Sequence, residues 1–211
     1  MASVNDIQRP PRRTQAHRRE TAEAALLDAA LSLISVRGVK GTTLGEVGEA
    51  AGYSKGIAAH YFKTKDRMLQ AAAEYVNEVY AQLLVETSAK PGLETLMRFV
   101  EMSCAPLRLE LSRAIYLMQK EAFFNTSGLA DVFRKYNKRA VKRLESEIRA
   151  GIANGEIRKD ADPKAEAIVL LALTRGLRTQ WILAPDKLNL LKMKTEMADF
   201  VRTNLSPKRG H

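Results

Sequence analysis

The chain has 211 residues, of which 45% are apolar, and this composition allows one or two small domains with a sizeable core. Its formal net charge of +10 favours polyanionic partners such as DNA, RNA or an anionic membrane surface, although a basic surface can also serve solubility alone. Cys104 is the single cysteine, which excludes an internal disulfide and fits a reducing compartment. We expect it to be a small core residue rather than a redox sensor.

No stretch of the chain predicts insertion into a membrane. The N-terminal residues are polar and lack the apolar segment of a signal peptide. The longest apolar run, "AIVLLAL" at 167–173, is far shorter than the about 20 residues of a membrane span. We therefore expect a cytoplasmic protein with no membrane partner.

The chain begins with a polar, Pro-rich and basic segment, residues 1–17, which is typical of a flexible arm. Apolar residues then recur at helical spacing and predict a helix over 18–37, which ends at Gly38 and Gly41. Arginines near this N-terminus fit either a solvated tail or, beside a DNA-binding domain, contacts to phosphates or the minor groove. They are Arg9, Arg12, Arg13, Arg18 and Arg19.

Two short helices are predicted next, over 44–51 and 55–61. Thr43 and Glu46 form the T-x-x-E pattern of a capping box at the start of the first. Gly52 breaks that helix, and Ser54 can cap the second. A pair of helices joined by a tight turn is typical of a helix-turn-helix, whose second helix enters the major groove of DNA.

The remainder of the chain keeps a helical period. Further helices are predicted over 64–86, 93–104, 107–124, 129–153, 163–184 and 186–204. Asp162 and Pro163 are a suitable N-cap and first-turn pair, and the helix that follows them is apolar nearly all round. No strand pattern is convincing. We predict an all-α protein with a helix-turn-helix domain over 18–65, a larger helical domain over 66–205 and a disordered tail over 206–211.

The segment "GVKGTTLGEVGEAAGYSKGIAAHYFKTKDRML" resembles the DNA-binding domain of TetR-family transcriptional regulators, and the match covers about residues 18–70. The later stretch "IANGEIRKDADPKAEAIVLLALTRGL" with a following Trp is more loosely similar to the ligand and dimer domain of the choline-responsive betaine-pathway branch. This second resemblance does not fix the ligand.

The TetR resemblance implies that a set of residues contacts operator DNA. Thr43 matches a cap that contacts phosphate, residues 54–57 match the leading edge of the recognition helix, and Lys65 matches a phosphate-binding lysine. The full implied set is Thr43, Ser54, Lys55, Gly56, Ile57, His60, Tyr61 and Lys65.

Four positions depart from the family pattern. Ala59 stands where a tyrosine commonly contacts phosphate, so that contact is missing or comes from His60. Ala58 is smaller than the usual aliphatic residue. Gly48 replaces the usual alanine and Gly45 adds a second glycine, and each interior glycine costs about 0.5–1 kcal/mol relative to alanine.

Soft and aromatic side chains on consecutive helices predict an adaptable apolar cavity for an effector, although each of them could be ordinary core. The proposed lining residues are Met97, Met102, Met118, Phe123, Arg178 and Trp181. Aromatic walls favour a cationic ligand, whereas Arg178 and the basic run at 134–143 favour a neutral or anionic one. That basic run fits either a solvated face or a partner site.

We therefore expect a ligand-responsive transcriptional regulator, a repressor, that binds double-stranded operator DNA as a homodimer. Helices 129–153 and 163–184 should pair with their mates in a four-helix bundle, and a ligand should tilt the helix over 64–86. We expect no catalytic residues, no cofactor and no metal site. The alternatives are a non-specific architectural DNA-binding protein and a small helical enzyme or ligand carrier.

Overall fold

The computed structural model describes residues 15–85, 90–105, 108–124 and 128–207. All regular secondary structure within these ranges is helical, which confirms the all-α prediction. The helices are α1 (Gln15–Arg37), α2 (Leu44–Ala50), α3 (Ile57–Phe62), α4 (Lys65–Val85), α5 (Leu93–Ser103), α6 (Leu109–Ala122), α7 (Leu129–Ala153), α8 (Pro163–Leu183) and α9 (Leu190–Leu205). The predicted arm up to residue 14 and the tail from 208 lie outside the described residues, whereas residues 15–17 belong to α1.

Local sequence signals set several of these helix ends. Thr43 Oγ1 accepts the backbone N–H of Glu46 at 3.3 Å, and the N–H of Thr43 donates to Glu46 Oε2 at 3.1 Å, so the capping box before α2 is confirmed. Asp162 Oδ1 accepts two backbone N–H groups of the first turn of α8, at 3.0 and 3.2 Å, with Pro163 in that turn. Short polar side chains thereby satisfy backbone donors that a helix start leaves free.

The start of α3 differs from the prediction. The helix begins at Ile57, its N-cap is Gly56, and no side chain caps it, so the prediction that Ser54 caps α3 is wrong. The carbonyl of Ser54 instead accepts the N–H of Ile57 at 3.1 Å. Residues 54–57 therefore form a turn that precedes the helix, and the recognition helix itself has only 6 residues.

One hydrophobic core spans the predicted boundary at residue 65. Buried residues of α1, α2, α3 and α4 pack together with Ala114 and Met118 of α6 and with Leu129 and Val132 at the start of α7. The helix-turn-helix unit therefore shares its core with α6 and α7, and it is not packed as a separate body.

A second core holds the other side of the molecule together. Leu96, Met97 and Val100 of α5 pack against buried residues of α7, α8 and α9. Helix α8 is apolar on two sides, because Leu170 and Leu171 face this core while Ile168 and Val169 are about half exposed, at 49% and 50%. The apolar residues of this helix thus lie on two faces, one that packs in the second core and one that is left exposed.

Candidate nucleic-acid interface

The connection between α2 and α3 is a tight turn built on two glycines. Gly52 has a φ of 80°, a conformation that residues with a side chain rarely adopt. The N–H of Tyr53 donates to the carbonyl of Gly48 at 2.9 Å. A β-carbon on Gly48 would stand 2.5 Å from the carbonyl oxygen of Ser54, so backbone packs on backbone here. This contact fixes the position of α3 against α2.

Helix α3 has one buried face and one exposed face. Ala58 and Phe62 are buried in the first core, whereas Ile57 and Tyr61 are half-buried and pack against its edge. His60 lies exposed, as do Ser54, Lys55 and Gly56 in the turn that leads into the helix. Of the residues at 54–61 that the TetR resemblance assigned to DNA contact, four are thus exposed, whereas Ile57 and Tyr61 are half-buried.

Two of the cations assigned to DNA contact, Lys55 and Lys65, already have partners within the protein. Lys55 Nζ lies 3.3 Å from Glu49 Oε1, in an exposed ion pair of the kind that contributes little stability. Lys65 Nζ donates to the carbonyl oxygen of Lys40 at 3.1 Å, which joins the start of α4 to the segment before α2. Thr43 is exposed at the N-terminus of α2.

The start of α2 is also an electrostatic junction. Glu46 accepts from Thr43 Oγ1 at 2.7 Å and pairs with Arg37 Nη1 at 2.7 Å. The hydrogen bond from Thr43, the backbone N–H of Thr43 and the charge of Arg37 together lower the pKa of Glu46. An ionised Glu46 therefore holds the end of α1 and the start of α2 in one arrangement.

An open cleft of about 550 Å³ lies between the first turn of α1 and the end of α3. Its lining residues are Gln15, Arg18, Arg19, His60, Tyr61 and Lys63. We name it the α1–α3 cleft. Lys63 is not among the DNA-binding residues predicted from the sequence. The sequence offered one indication of a role for Lys63: it stands between His60 and Lys65, two basic residues that the TetR resemblance assigned to DNA contact.

The residues predicted to line an effector cavity are spread over different environments. Met97 lies in the second core and Met118 in the first. Phe123 is 85% exposed at the end of α6, so in this structure it faces solvent rather than an enclosed space. Neither the α1–α3 cleft nor a small surface hollow between α5 and α7 is lined by any of the predicted effector residues.

Arg178 and Trp181 lie together on α8, beside the end of α5. The Arg178 guanidinium donates to the carbonyl oxygens of Ser103 and Ala105, the latter at 3.2 Å, and stands 5.5 Å from the centre of the Trp181 ring. Cys104, between those two carbonyls, is buried, and burial raises the pKa of its thiol. Arg178 therefore caps the C-terminus of α5 from a neighbouring helix.

Two family models match the chain. Residues 26–72 match the bacterial regulatory proteins of the tetR family, and residues 92–206 match the C-terminal domain of BetI-type transcriptional repressors. The chain belongs to the TetR family. It is therefore a DNA-binding transcriptional regulator, with a TetR helix-turn-helix domain followed by a BetI-type C-terminal domain.

Curated relatives of the chain are named as HTH-type transcriptional regulators. The chain is 27% identical over 197 residues to the HTH-type transcriptional regulator AcrR of Shigella flexneri, covering 90% of each chain. It is 28% identical over 190 residues to the HTH-type transcriptional regulator BetI of Burkholderia mallei, covering 90% of this chain and 96% of the relative. HTH-type transcriptional regulators of two different names thus match nearly the whole chain.

Solved structures show the same fold with different small molecules. A transcriptional regulator from Saccharomonospora viridis in complex with choline has a TM-score of 0.76 at 24% identity, covering 88% of this chain and 98% of that one. FadR from Bacillus subtilis in complex with stearoyl-CoA has a TM-score of 0.75 at 18% identity, covering 86% and 98%. At these identities the likeness establishes the fold alone.

Metal-binding clusters and membrane-spanning helices are both absent from the described residues. No group of three or more His, Cys, Asp or Glu side chains there is arranged to hold a metal ion. None of the helices there combines the length and apolarity that crossing a bilayer requires.

Proposed function

We propose that the protein is a repressor that binds operator DNA as a homodimer and releases it when a small molecule binds the C-terminal domain. The observation that carries this proposal is the core shared by the helix-turn-helix and the helices of the second domain. As a member of a family of bacterial regulatory proteins it would act in the cytoplasm, where the chromosome lies.

The DNA contacts would come from the exposed side of the helix-turn-helix. Lys55 and His60 are placed to reach base edges or phosphates, because both are exposed on or just before the recognition helix. Thr43 lies exposed at the α2 N-terminus, where its hydroxyl and N–H are held by Glu46 and would have to leave that partner to bind a phosphate, and Lys65 offers a cation at the start of α4. Ile57 and Tyr61, half-buried, would set the angle of α3 and present only their exposed edges.

The dimer would form through α8 and α9, which differs from the pairing expected from the sequence. None of the large apolar side chains that lie exposed in the described residues belongs to α7. Exposed apolar residues on the other two helices are Ile168, Val169 and Leu183 on α8 and Leu191 and Phe200 on α9. Burying such a surface against a second copy removes apolar area from water, which drives association. The exposed residues of α7 are instead mainly charged.

Helix α6 would couple the effector to the operator. It packs against α1 and α4 through the first core and also contacts α8 in the second domain. A ligand that moves α6 must therefore shift α1 or α4, and with them the recognition helix. Two half-sites on DNA are about 34–36 Å apart, so a displacement of a few ångströms prevents both recognition helices from docking together.

The effector site is proposed among α5, α6 and α8, near Arg178 and Trp181. In support, Ser112 on α6 has a buried hydroxyl, and within the described residues that hydroxyl has no hydrogen-bond partner. A buried polar group without a partner is costly, and a ligand could satisfy it. The class of ligand stays open, because choline and stearoyl-CoA occupy fold neighbours of this chain and differ in size and charge.

Selection of bound duplexes from a random DNA pool tests the proposal. A repressor of this type enriches a short sequence with two related half-sites. A non-specific architectural protein, the rival that the charge of +10 favours, enriches none and shows only a steep salt dependence. Enrichment of no sequence at physiological salt would reject the regulator proposal.

A further inference from the structure

We propose that the α1–α3 cleft is a second phosphate-binding surface, which holds the DNA backbone beside the segment read by α3. The inference rests on the proposed function and extends it to residues outside the helix-turn-helix. Three cations line the cleft: Arg18 and Arg19 come from the first turn of α1, and Lys63 is the residue that follows α3.

Three polar side chains at the start of α1 line one side of the cleft. Gln15, Arg18 and Arg19 are spaced at i, i+3 and i+4, which places them on one face of a helix, and all three line the cleft. Arginine suits this role, because its planar guanidinium can form two parallel hydrogen bonds to a phosphate.

No described residue of the protein forms an ion pair with a cation of the cleft, whether Arg18, Arg19 or Lys63. Lys55 and Lys65, by contrast, already bind Glu49 and the carbonyl of Lys40. A group of cations without counter-charges attracts a polyanion more strongly than cations that must first give up a partner.

The backbone at Lys63 supports a specific role. Lys63 has a φ of 66°, and it is the only non-glycine residue with a positive φ in the described ranges. Residues with a side chain rarely adopt this conformation, and such positions cluster at functional sites. Glycine would fit this helix end without strain, yet the chain carries a lysine whose side chain lines the cleft.

The cleft is continuous with the DNA-reading face. His60 and Tyr61 line it and also belong to α3. Ala59, exposed beside them, carries no group that could bind phosphate. A strand that passes along α3 would therefore meet the cations of the cleft next, and these would supply the backbone contact that Ala59 cannot make.

The test compares two triple variants with the same reduction in charge. The first is Arg18→Gln with Arg19→Gln and Lys63→Gln. The matched control is Lys135→Gln with Lys138→Gln and Lys142→Gln, three exposed lysines of α7 outside the cleft. Affinity for the selected operator is measured by fluorescence anisotropy over a series of salt concentrations.

We expect the cleft variant to lower the slope of log affinity against log salt by about 0.9 for each phosphate that the variant no longer neutralises. The sequence enriched from the random pool should not change, because phosphate contacts carry no base information. The α7 control should keep the slope of the unmodified protein. Shortening the DNA flanks should abolish the difference between the unmodified protein and the cleft variant.

A single variant guards against a folding artefact. Lys63→Gly removes the cation and accepts the positive φ, so it should lower the slope without lowering the unfolding temperature. Equal slopes for the cleft variant and the α7 control would overturn the inference and leave the proposed function intact. If the unmodified protein selects no DNA sequence, the proposed function itself fails.

Discussion

The α-carbon of Gly48 lies against the carbonyl of Ser54 so closely that a β-carbon on Gly48 would stand 2.5 Å from that oxygen. Both partners are backbone, so no side chain can move aside to make room. Gly45, one turn earlier on α2, is different, because a β-carbon there would meet only the β-carbon of Lys55, at 4.0 Å.

Gly48→Ala should therefore destabilise the protein and weaken operator binding. Forcing a methyl group into packed space costs about 1–3 kcal/mol, and the strain would displace the turn that positions α3. Thermal unfolding and operator affinity measure both effects. Gly45→Ala is the matched control and should be neutral or stabilising by about 0.5–1 kcal/mol. Equal behaviour of the two variants would refute the close contact.

The pKa of Glu46 predicts how stability depends on pH. Hydrogen bonding to Thr43 comes first among the causes that lower this pKa, with the charge of Arg37 adding to it. Because the folded-state pKa lies below the unfolded one, about 4.3 for glutamate, the ionised carboxylate stabilises the fold above that pH. The contribution disappears as the pH falls through the folded-state pKa.

The difference in unfolding temperature between the unmodified protein and Glu46→Gln should accordingly shrink as the pH is lowered from about 6 to about 3. In a Thr43→Ala background the same comparison should show less pH dependence, because the principal cause of the shift is gone. A difference that stays constant over the whole pH range would contradict the assignment.

Adjacent residues on the two faces of α8 should respond differently to the same substitution by aspartate. Val169 is 50% exposed and Leu170 only 3%. Val169→Asp should give a folded monomer, because the charge lies on the proposed dimer surface. Leu170→Asp should unfold the protein, because it places an unpaired charge in the core. Light scattering reports the mass and circular dichroism the fold. A Val169→Asp protein that remains dimeric at micromolar concentration would exclude this face.

Arg178 should stabilise the protein through the shape of its guanidinium group and not through its charge alone. Arg178→Lys keeps the charge but cannot contact two carbonyls and the Trp181 ring together, so we expect a destabilisation of about 1.5–3 kcal/mol and a shifted Trp181 emission. Trp181 is the single tryptophan, which makes the signal unambiguous.

Arg175→Lys is the matched control. Arg175 lies on the same helix and forms a hydrogen bond to Asn137, and its replacement should leave the Trp181 emission unchanged. Unaltered stability and emission in Arg178→Lys would show that the cap is dispensable.

Features that depend on neighbours in sequence can be predicted well. Thr43 and Asp162 cap their helices because the groups that they bind lie two or three residues away, a distance that the sequence displays directly. The predicted start of α3 is wrong, since Ser54 uses its backbone carbonyl, rather than its side chain, to form the turn before the helix.

Features that depend on distant parts of the chain could not be predicted. The spacing of apolar residues on α8 shows that it is apolar all round, but it does not show that Leu170 is covered by the same chain while Val169 is left uncovered. In the same way, nothing in the sequence near Lys63 indicates that α1 brings Arg18 and Arg19 to it. Such placements follow from the tertiary packing.

The packing of α6 against α1 has a consequence for how this protein could be recombined with others. Ala114 and Met118 complete the core on which the helix-turn-helix folds, so an excised N-terminal fragment would expose the apolar side of α1 and α4. A chimera that joins this DNA-binding domain to the ligand-binding domain of another protein would fold only if the α6 of that protein packed against this α1. The exchange of DNA-binding and ligand-binding domains among such proteins is therefore limited by the packing of α1 against α6, an interface that contacts neither the operator nor the effector.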